Sequence, residues 1–159
     1  MPDTSPLLNK QTASSQIMPV TIERTSWAAS EAALRSIREA VFIREQRVPD
    51  SLEWDEHDQE AMHFLATTED GTPVGCIRLL PSGQLSRLAV LEQFRNQDIG
   101  SDLLVSAEAE ARRQGMNEIF LHAQTQASHF YENAGFTVTG GIFLQADIPH
   151  RQMFKELDD

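Results

Sequence analysis

The 159-residue sequence predicts a single α/β domain built on one mixed β-sheet with helices packed against it. The length suits one domain. Amphipathic helix patterns alternate along the chain with short apolar runs of strand length, and this alternation is typical of helices packed on a sheet. Residues 1–18 are rich in Ser, Thr, Gln and Pro and lack periodicity. They predict a flexible tail, which leaves residues 19–159 for the domain.

Charge and cysteine content narrow the classes of partner and compartment. The formal net charge of −11 disfavours binding to nucleic acid. The negative charge either favours encounter with cations such as amines or contributes to solubility alone. Cys76 is the only cysteine, so it forms no intrachain disulfide, and we expect it to be a small buried residue. No apolar run approaches the ~20 residues that cross a bilayer, and the first residues lack a secretory signal. We therefore expect a cytoplasmic protein with no nucleic-acid or membrane partner.

The domain begins with a strand and a long helix. Residues 20–24 predict the strand. Ser26 is a candidate N-cap for the helix, and this helix is expected to end near Gln46 because Pro49 disfavours helical geometry at the residue before it.

Residues 47–60 form a long acidic connection. Long connections inside a domain are often functional or disordered, and we interpret this one as a hydrated loop. A divalent-metal site is the alternative, because carboxylates and histidines suit such ions, but their spacing matches no known ligand motif. We therefore expect no metal. The residues of that alternative site are Asp55, His57, Asp58 and His63.

Three strands are predicted between residues 62 and 90. Residues 62–67 and 74–80 flank Asp70-Gly71, and an Asp-Gly pair between two apolar runs is a strong hairpin signal. Residues 85–90 predict the next strand.

The stretch from Arg95 to Gly115 is the most informative part of the chain. A polar turn, residues 95–101, leads into an amphipathic helix that Gly115 ends. The first turn of a helix has backbone N–H groups without helical partners and the positive end of the helix dipole. Phosphate groups bind at such ends. The apolar stripe of this helix consists of Ile99, Leu103, Leu104, Ala107 and Ala111.

The C-terminal third predicts a strand, a short helix and three closing strands. Residues 118–123 are almost entirely apolar and suit burial on both faces of the sheet. A helix over residues 128–133 ends at Gly135. His150 is expected in the loop before the last strand. The closing strands are predicted at residues 136–139, 142–144 and 152–157.

Two motifs in the second half resemble those of one enzyme family. Residues 95–100, RNQDIG, match the first and last positions of the turn Q/R-x-x-G-x-G/A, and residues 131–136, YENAGF, match Y-x-x-x-G-F. In this order, on either side of a strand, they make the chain resemble the GNAT superfamily of acyl-CoA-dependent N-acyltransferases from about residue 20 onward. Residues 41–49 and 149–153 also resemble the V-F-x-x-E-Q-x-V-P and P-H-x-x-M motifs of a bacterial subgroup.

The resemblance implies a mostly antiparallel mixed sheet with a splay between the fourth and fifth strands, where acetyl-CoA binds as co-substrate. Main-chain groups of the fourth strand pair with the pantetheine arm, and one N–H there polarises the thioester carbonyl. Backbone N–H groups of the turn cradle the pyrophosphate, and Arg95 adds charge. The residues expected to contact the cofactor are Leu88, Ala89, Val90, Arg95, Asn96, Gln97, Asp98, Gly100, Ser101, Gln124 and Ser128.

Two positions depart from the family pattern. Asp98 stands where glycine is preferred. Aspartate tolerates left-handed backbone and can cap the helix with its carboxylate, but its negative charge opposes the pyrophosphate. We expect Asp98 to turn outward and to reduce cofactor affinity modestly. Gln124 stands where asparagine is frequent, and its longer amide can still form hydrogen bonds.

Acyl transfer to an amine needs a proton donor for the departing thiolate and a base for the amine. The resemblance implies Tyr131 as the general acid. Ordinary pKa values of about 10 for a phenol and about 8.5 for a thiol make this donation uphill by roughly 2 kcal/mol. The base is undecided, with Glu45 and His150 preferred for a base or substrate-binding role. The full set of candidates is Glu45, Glu53, Asp55, His63, His122 and His150.

We therefore expect an N-acetyltransferase that moves an acetyl group from acetyl-CoA to a primary amine by direct attack in a ternary complex. The acceptor is a small molecule or a peptide amine. The alternative is a non-catalytic acyl-CoA sensor, which Asp98 and the undecided base leave open. The sequence also leaves a homodimer open. It excludes a nucleotide-triphosphate P-loop, because no Gly-Lys-Ser/Thr follows the turn.

Overall fold

The computed structural model describes residues 19–157, so the predicted tail lies outside the described residues. The strands are β1 (Val20–Thr25), β2 (Met62–Thr68), β3 (Pro73–Leu79), β4 (Gln84–Val90), β5 (Glu118–Gln124), β6 (Thr137–Gln145) and β7 (Ile148–Glu156). They form one seven-stranded sheet in the order β1-β2-β3-β4-β5-β7-β6. Only β4 and β5 pair in parallel, and the other neighbours are antiparallel. The predicted mixed, mostly antiparallel sheet is confirmed.

Within residues 19–157, four α-helices accompany the sheet. They are α1 (Trp27–Arg38), α2 (Asp50–Glu53), α3 (Ile99–Arg113) and α4 (Ser128–Asn133). The predicted apolar stripe of α3 is buried in full and packs with Val74, Leu79 and Ile119 in the main core. Periodicity therefore identified the buried face of α3 correctly. None of the described helices is both long and apolar enough to span a membrane.

The predicted N-terminal helix changes its hydrogen-bond pattern halfway. Ser26 caps it as predicted, because its hydroxyl accepts from the Ala29 N–H at 3.1 Å. After α1 the chain continues as a π-helical segment, Glu39–Glu45, in which the Gln46 N–H reaches the Val41 carbonyl at 3.0 Å. Such segments are rare and frequently lie at functional sites.

The prediction of a hydrated acidic loop over residues 47–60 is wrong for its central acids. Glu53 and Asp58 are only 3% and 2% exposed, and buried carboxylates require charged or hydrogen-bonding partners. Arg38 supplies them, with Nε 2.8 Å from Glu53 and Nη1 2.8 Å from Asp58. We call this group the buried ion-pair cluster; its members are Arg38, Glu53, Asp55, Asp58, Arg78 and Arg87. Its carboxylates bind guanidinium groups, and the described residues contain no group of metal ligands.

His63 lies against this cluster and is almost fully buried. Its Nε2 contacts the Asp58 carbonyl at 2.8 Å, and because a carbonyl only accepts, Nε2 carries the proton. Burial lowers the pKa of His63 below its ordinary value, and the nearby Arg38 and Arg78 lower it further. The ring is therefore neutral in the folded protein at neutral pH.

His63 makes folding sensitive to mild acid. In the unfolded chain its pKa returns to about 6.5, so below that pH the unfolded state binds more protons than the folded state. The free energy of unfolding then falls as the pH drops from 6.5 towards the folded pKa. We expect urea denaturation to show a smaller loss between pH 7.5 and pH 5.5 for His63→Gln than for the wild type. Equal losses in the two proteins would contradict this assignment.

A β-bulge interrupts β4 close to the point where β4 and β5 separate. Arg87 has a left-handed backbone, with φ of 57°, which costs a non-glycine residue about 1–2 kcal/mol. Ser86 faces Arg78 and Ala89 faces Cys76, so two residues of β4 occupy the place of one on β3. The parallel pairing of β4 with β5 is confined to residues 84–85 and 120–121. The two strands separate beyond that point, and the predicted splay is confirmed.

The C-terminal strands differ from the prediction in two ways. Phe120 and His122 of β5 are half-buried rather than buried, so the strand is not buried on both faces as predicted. Three closing strands were predicted, but the structure has two. The first two predicted strands are one strand, β6, which continues through a register shift between Thr139 and Phe143. The pair Gly140-Gly141 at this shift indicates a break in the sequence pattern. His150 consequently lies on β7, not in a loop.

Candidate active site

The splay between β4 and β5 opens into a cleft of about 790 Å³. Its walls are β4, the polar turn with the start of α3, the end of β5, and α4, together with the π-helical segment and its continuation to Glu53, and the turn between β6 and β7. Tyr131 and His150 both line it. The volume lies within the ~300–1,000 Å³ of typical small-molecule sites.

The polar turn aims backbone donors at one end of the cleft. Asn96 and Asp98 have φ of 65° and 66°, and these two left-handed residues turn the chain sharply into α3. The first helical hydrogen bond comes from Asp102, whose N–H reaches the Asp98 carbonyl at 3.0 Å. Within residues 19–157, the N–H groups of the three residues before it, 99–101, donate to no acceptor. Three convergent donors at a helix N-terminus suit an anionic group.

Asp98 adopts the backbone expected of it but not the capping role. Its side chain makes no capping hydrogen bond, and it is exposed. The left-handed backbone at the N-cap position explains this, because side-chain capping requires the extended conformation that Ser26 has. The carboxylate therefore remains an uncompensated negative charge at the rim of the cleft.

Arg95 is tied to Glu45 by two hydrogen bonds. Its Nη1 and Nη2 lie 2.8 Å and 2.7 Å from the carboxylate oxygens, and its Nε donates to the Val90 carbonyl at 2.9 Å. The Arg95 guanidinium lowers the pKa of Glu45, and Glu45 raises the pKa of Arg95. This pairing neutralises the charge that Arg95 was expected to add. It also makes Glu45 a weak base.

Tyr131 projects from α4 into the aromatic part of the cleft. Phe130 and Phe136 meet its ring edge-to-face, at centroid distances of 5.0 Å and 5.9 Å. The hydroxyl makes no hydrogen bond with another described residue. Burial raises the pKa of Tyr131 to about 12, so the phenol stays protonated at all physiological pH values. The roughly 2 kcal/mol predicted from the sequence for proton donation assumed an ordinary phenol pKa of about 10. That assumption is corrected by the raised pKa of Tyr131.

His150 lines the cleft, and its two ring nitrogens differ in their hydrogen bonding. Its Nδ1 lies 2.6 Å from the Ile148 carbonyl, and because a carbonyl only accepts, Nδ1 is the protonated nitrogen in the neutral ring. Nε2 is then left with a lone pair. Phe143 stacks on the ring at 5.9 Å and limits its rotation. His122 meets Phe143 edge-to-face at a centroid distance of 5.1 Å and also lines the cleft.

Two hydrogen-bonded amide side chains, Gln46 and Gln124, line the cleft. Gln124 donates to the Gln46 side-chain oxygen at 2.8 Å and accepts from Gln126 at 2.6 Å. Gln46 lies at the end of the π-helical segment, so the motif E-Q-x-V-P brings one of its residues to the site. Sequence reasoning placed Gln124 here but missed Gln46, although the motif contained the signal.

The structure brings most of the candidate residues together but not all. Five candidates do not line the cleft: Glu45, Asp55, His63, Gln97 and Ser128. Gln97 instead buries its side-chain oxygen, which has no partner among the described residues. Glu53 and Arg87 line the cleft, and no sequence pattern had associated Arg87 with it. The candidates that line the cleft are Glu53, Leu88, Ala89, Val90, Arg95, Asn96, Asp98, Gly100, Ser101, His122, Gln124, Tyr131 and His150.

Comparisons with known proteins agree on one family. The family model of the acetyltransferase (GNAT) domain matches residues 23–157. The chain is 38% identical over 125 residues to the uncharacterized N-acetyltransferase YjcF of Bacillus subtilis, covering 76% of this chain and 88% of the relative. It is 32% identical over 141 residues to the uncharacterized protein YyaT of the same organism, covering 86% and 95%.

A solved structure matches over nearly the whole domain. It is the crystal structure of an acyl-CoA N-acyltransferase from Pseudomonas aeruginosa, with a TM-score of 0.77 and 27% sequence identity. The match covers 86% of this chain and 99% of that one.

Proposed function

The chain belongs to the GNAT acetyltransferase family, and from this premise we propose that it transfers an acetyl group from acetyl-CoA to a primary amine. The amine attacks the thioester directly within a ternary complex. The observation that carries the proposal is the cleft between β4 and β5 that ends at three free N–H groups of α3. The acceptor is a small molecule or a peptide amine.

The residues of the cleft fit a CoA thioester. β5 does not pair with Leu88, Ala89 or Val90, so main-chain groups of this segment are available to a pantetheine arm, except the Val90 carbonyl, which accepts from Arg95. The N–H groups at the start of α3 would hold the diphosphate. Because Glu45 neutralises Arg95, this grip relies on backbone dipoles rather than on side-chain charge. The bound cofactor supplies the activated acetyl group.

Tyr131 is proposed as the general acid for the departing thiolate. Proton donation from a phenol with a pKa of about 12 to the thiolate of an ordinary thiol, with a pKa of about 8.5, would be unfavourable by about 5 kcal/mol. The same burial, however, raises the pKa of a thiol in the cleft, because both groups ionise from neutral to negative. The difference between the two acids therefore stays closer to the roughly 2 kcal/mol of the ordinary values.

His150 is proposed as the group that receives the amine proton. His150 lines the cleft, its Nδ1 is held by the Ile148 carbonyl, and its Nε2 makes no hydrogen bond with another described residue. Glu45, the other preferred candidate, lies outside the cleft wall and is committed to Arg95. Proton transfer from an amine to His150 directly or through one water fits general base catalysis.

The charge of Asp98 is expected to weaken cofactor binding. Replacing it with asparagine keeps a residue that tolerates the left-handed backbone and removes one negative charge near the diphosphate. An exposed charge pair a few ångströms apart is worth up to about 1 kcal/mol, so we expect the affinity for CoA to rise about threefold. Asp102→Asn is the matched control, since Asp102 is exposed in the same helical turn but does not line the cleft. An equal gain in both variants would contradict a local effect of Asp98.

Thiol release tests the proposed reaction. The protein is supplied with acetyl-CoA and a panel of polyamines, amino acids, aminoglycosides and peptides with free N-termini. We expect amine-dependent release of CoA with at least one class. If CoA binds and raises the unfolding free energy, by about 2.7 kcal/mol at 100 times its dissociation constant, while no amine supports release, the protein is an acyl-CoA sensor instead.

A further inference from the structure

Arg87 stands apart from the other residues of the sheet. It is the one non-glycine residue inside a described strand that has a positive φ; the others with this backbone lie in turns or loops. A regular extended conformation has the lower energy for an arginine. Contacts from outside β4 must therefore hold the Arg87 backbone in the bulge.

The side chain of Arg87 provides these contacts. Its Nε donates to Glu53 Oε2 at 2.9 Å, and its Nη2 donates to the Glu53 main-chain carbonyl at 2.9 Å. Nη2 also lies 3.3 Å from Asp55 Oδ2. One edge of the guanidinium is thus bound to the chain on both sides of Trp54, with main-chain and side-chain acceptors.

The acceptors of Arg87 are themselves fixed in place. Glu53 Oε2 also accepts from Arg38 Nε at 2.8 Å, and Asp55 Oδ1 accepts from Arg78 Nη1 at 2.8 Å. Glu53, Arg38 and Arg78 are each at most 3% exposed. Moving the anchor of Arg87 would therefore expose or separate buried charges, which is strongly unfavourable.

The anchored bulge lies where the cleft begins. The recorded pairing of β4 with β5 ends at Leu85, two residues before Arg87. The Arg87 carbonyl is turned towards β3, where the Cys76 thiol donates to it at 3.4 Å. Leu88 to Val90 then follow with main-chain groups that β5 does not use, and they form one wall of the cleft.

We propose that Arg87 is a positioning residue: by pairing with Glu53 and Asp55, its side chain holds β4 in the left-handed bulge that keeps the strand open for the pantetheine arm. This inference rests on the proposed function, because it assigns the opened strand to the cofactor. It also gives the residues of the acidic connection a role in acetyl-CoA binding although their carboxylates are paired with arginines.

Two substitutions of Arg87 distinguish the effect of its side-chain contacts from the effect of its backbone conformation. Arg87→Ala removes the anchor and keeps a residue that resists a positive φ, whereas Arg87→Gly removes the same anchor but accepts that backbone freely. We expect the dissociation constant of CoA to rise about tenfold in Arg87→Ala and to stay within about threefold of wild type in Arg87→Gly. The KM for acetyl-CoA should follow the same order, with kcat at saturation changed less than twofold.

Equal dissociation constants in the two variants, whether weak or close to wild type, would overturn the proposal. Equal weakening would mean that the guanidinium contacts a ligand or acts only on stability. If Arg87→Ala does not fold because Glu53 loses a partner, both variants are compared in a Glu53→Gln background. In that background, different dissociation constants support the proposal and equal ones overturn it.

A measurement without cofactor keeps this test separate from the test of function. Failure of the wild type to bind any CoA compound would overturn the proposed function, and with it the assignment of the opened strand to the cofactor, but not the anchoring of the bulge by Arg87. Amide hydrogen exchange over residues 86–90 of the free protein then decides the role of Arg87. We expect slower exchange in Arg87→Ala than in Arg87→Gly, because an unanchored β4 returns to regular pairing. Identical exchange would overturn the proposal.

Discussion

Tyr131→Phe is expected to lower kcat by at least about 100-fold, the size of a typical general-acid contribution, while the dissociation constant of CoA changes less than twofold. The variant removes a single oxygen. The edge-to-face contacts of the ring with Phe130 and Phe136 are available to phenylalanine as well. Steady-state thiol release and calorimetric titration with CoA measure the two quantities.

The pH profile of the wild type provides a control for this assignment. With the pKa of Tyr131 raised to about 12 by burial, the phenol remains protonated to about pH 11. Ionisation of Tyr131 therefore produces no loss of activity below pH 10, and any alkaline limb there belongs to another group. An unchanged kcat in Tyr131→Phe, or a parallel loss of CoA affinity, would remove Tyr131 from the role of acid.

Arg38→Met is expected to reduce the free energy of unfolding by about 3–5 kcal/mol. Arg38 is 1% exposed and donates to both Glu53 and Asp58. Methionine fills part of the volume but leaves two buried carboxylates with fewer partners. A loss of this size is a large share of the ~5–15 kcal/mol that stabilises a typical domain.

Arg44→Met is the matched control for the cluster. It removes the same positive charge from the π-helical segment that follows α1, but Arg44 is exposed. Exposed substitutions of this kind stay within about 0.5 kcal/mol. Urea denaturation of the two variants gives the comparison. A loss below about 1 kcal/mol for Arg38→Met would mean that the cluster contributes little to stability.

Local patterns in the sequence predicted what depends on local physics. The stripe from Ile99 to Ala111 follows from helical periodicity, and the Asp-Gly pair predicted the hairpin between β2 and β3, where Gly71 has a φ of 90°. The turn before α3 and the position of Tyr131 came from short motifs. Each of these features is encoded by residues close together in the chain.

Features that depend on distant partners were not predictable in the same way. Glu53 is buried because Arg38 and Arg87, 15 and 34 residues away, reach it, and an acidic run alone indicates a hydrated surface. The bulge at Arg87 has no local signature, since arginine normally favours extended or helical backbone. The proline directly before His150 indicates a loop, but β7 already begins at Ile148, because proline is tolerated near a strand end.

The dissociation constants of CoA, dephospho-CoA and pantetheine, measured by calorimetry, test most directly whether the N-terminus of α3 grips a diphosphate. Dephospho-CoA retains the diphosphate and pantetheine lacks it. We expect dephospho-CoA to bind within about tenfold of CoA and pantetheine to bind at least about 100-fold more weakly, since hydrogen bonds to a charged group contribute about 1.5–3 kcal/mol each. Equal affinity for pantetheine and CoA, or no binding of CoA at millimolar concentration, would contradict the site described here.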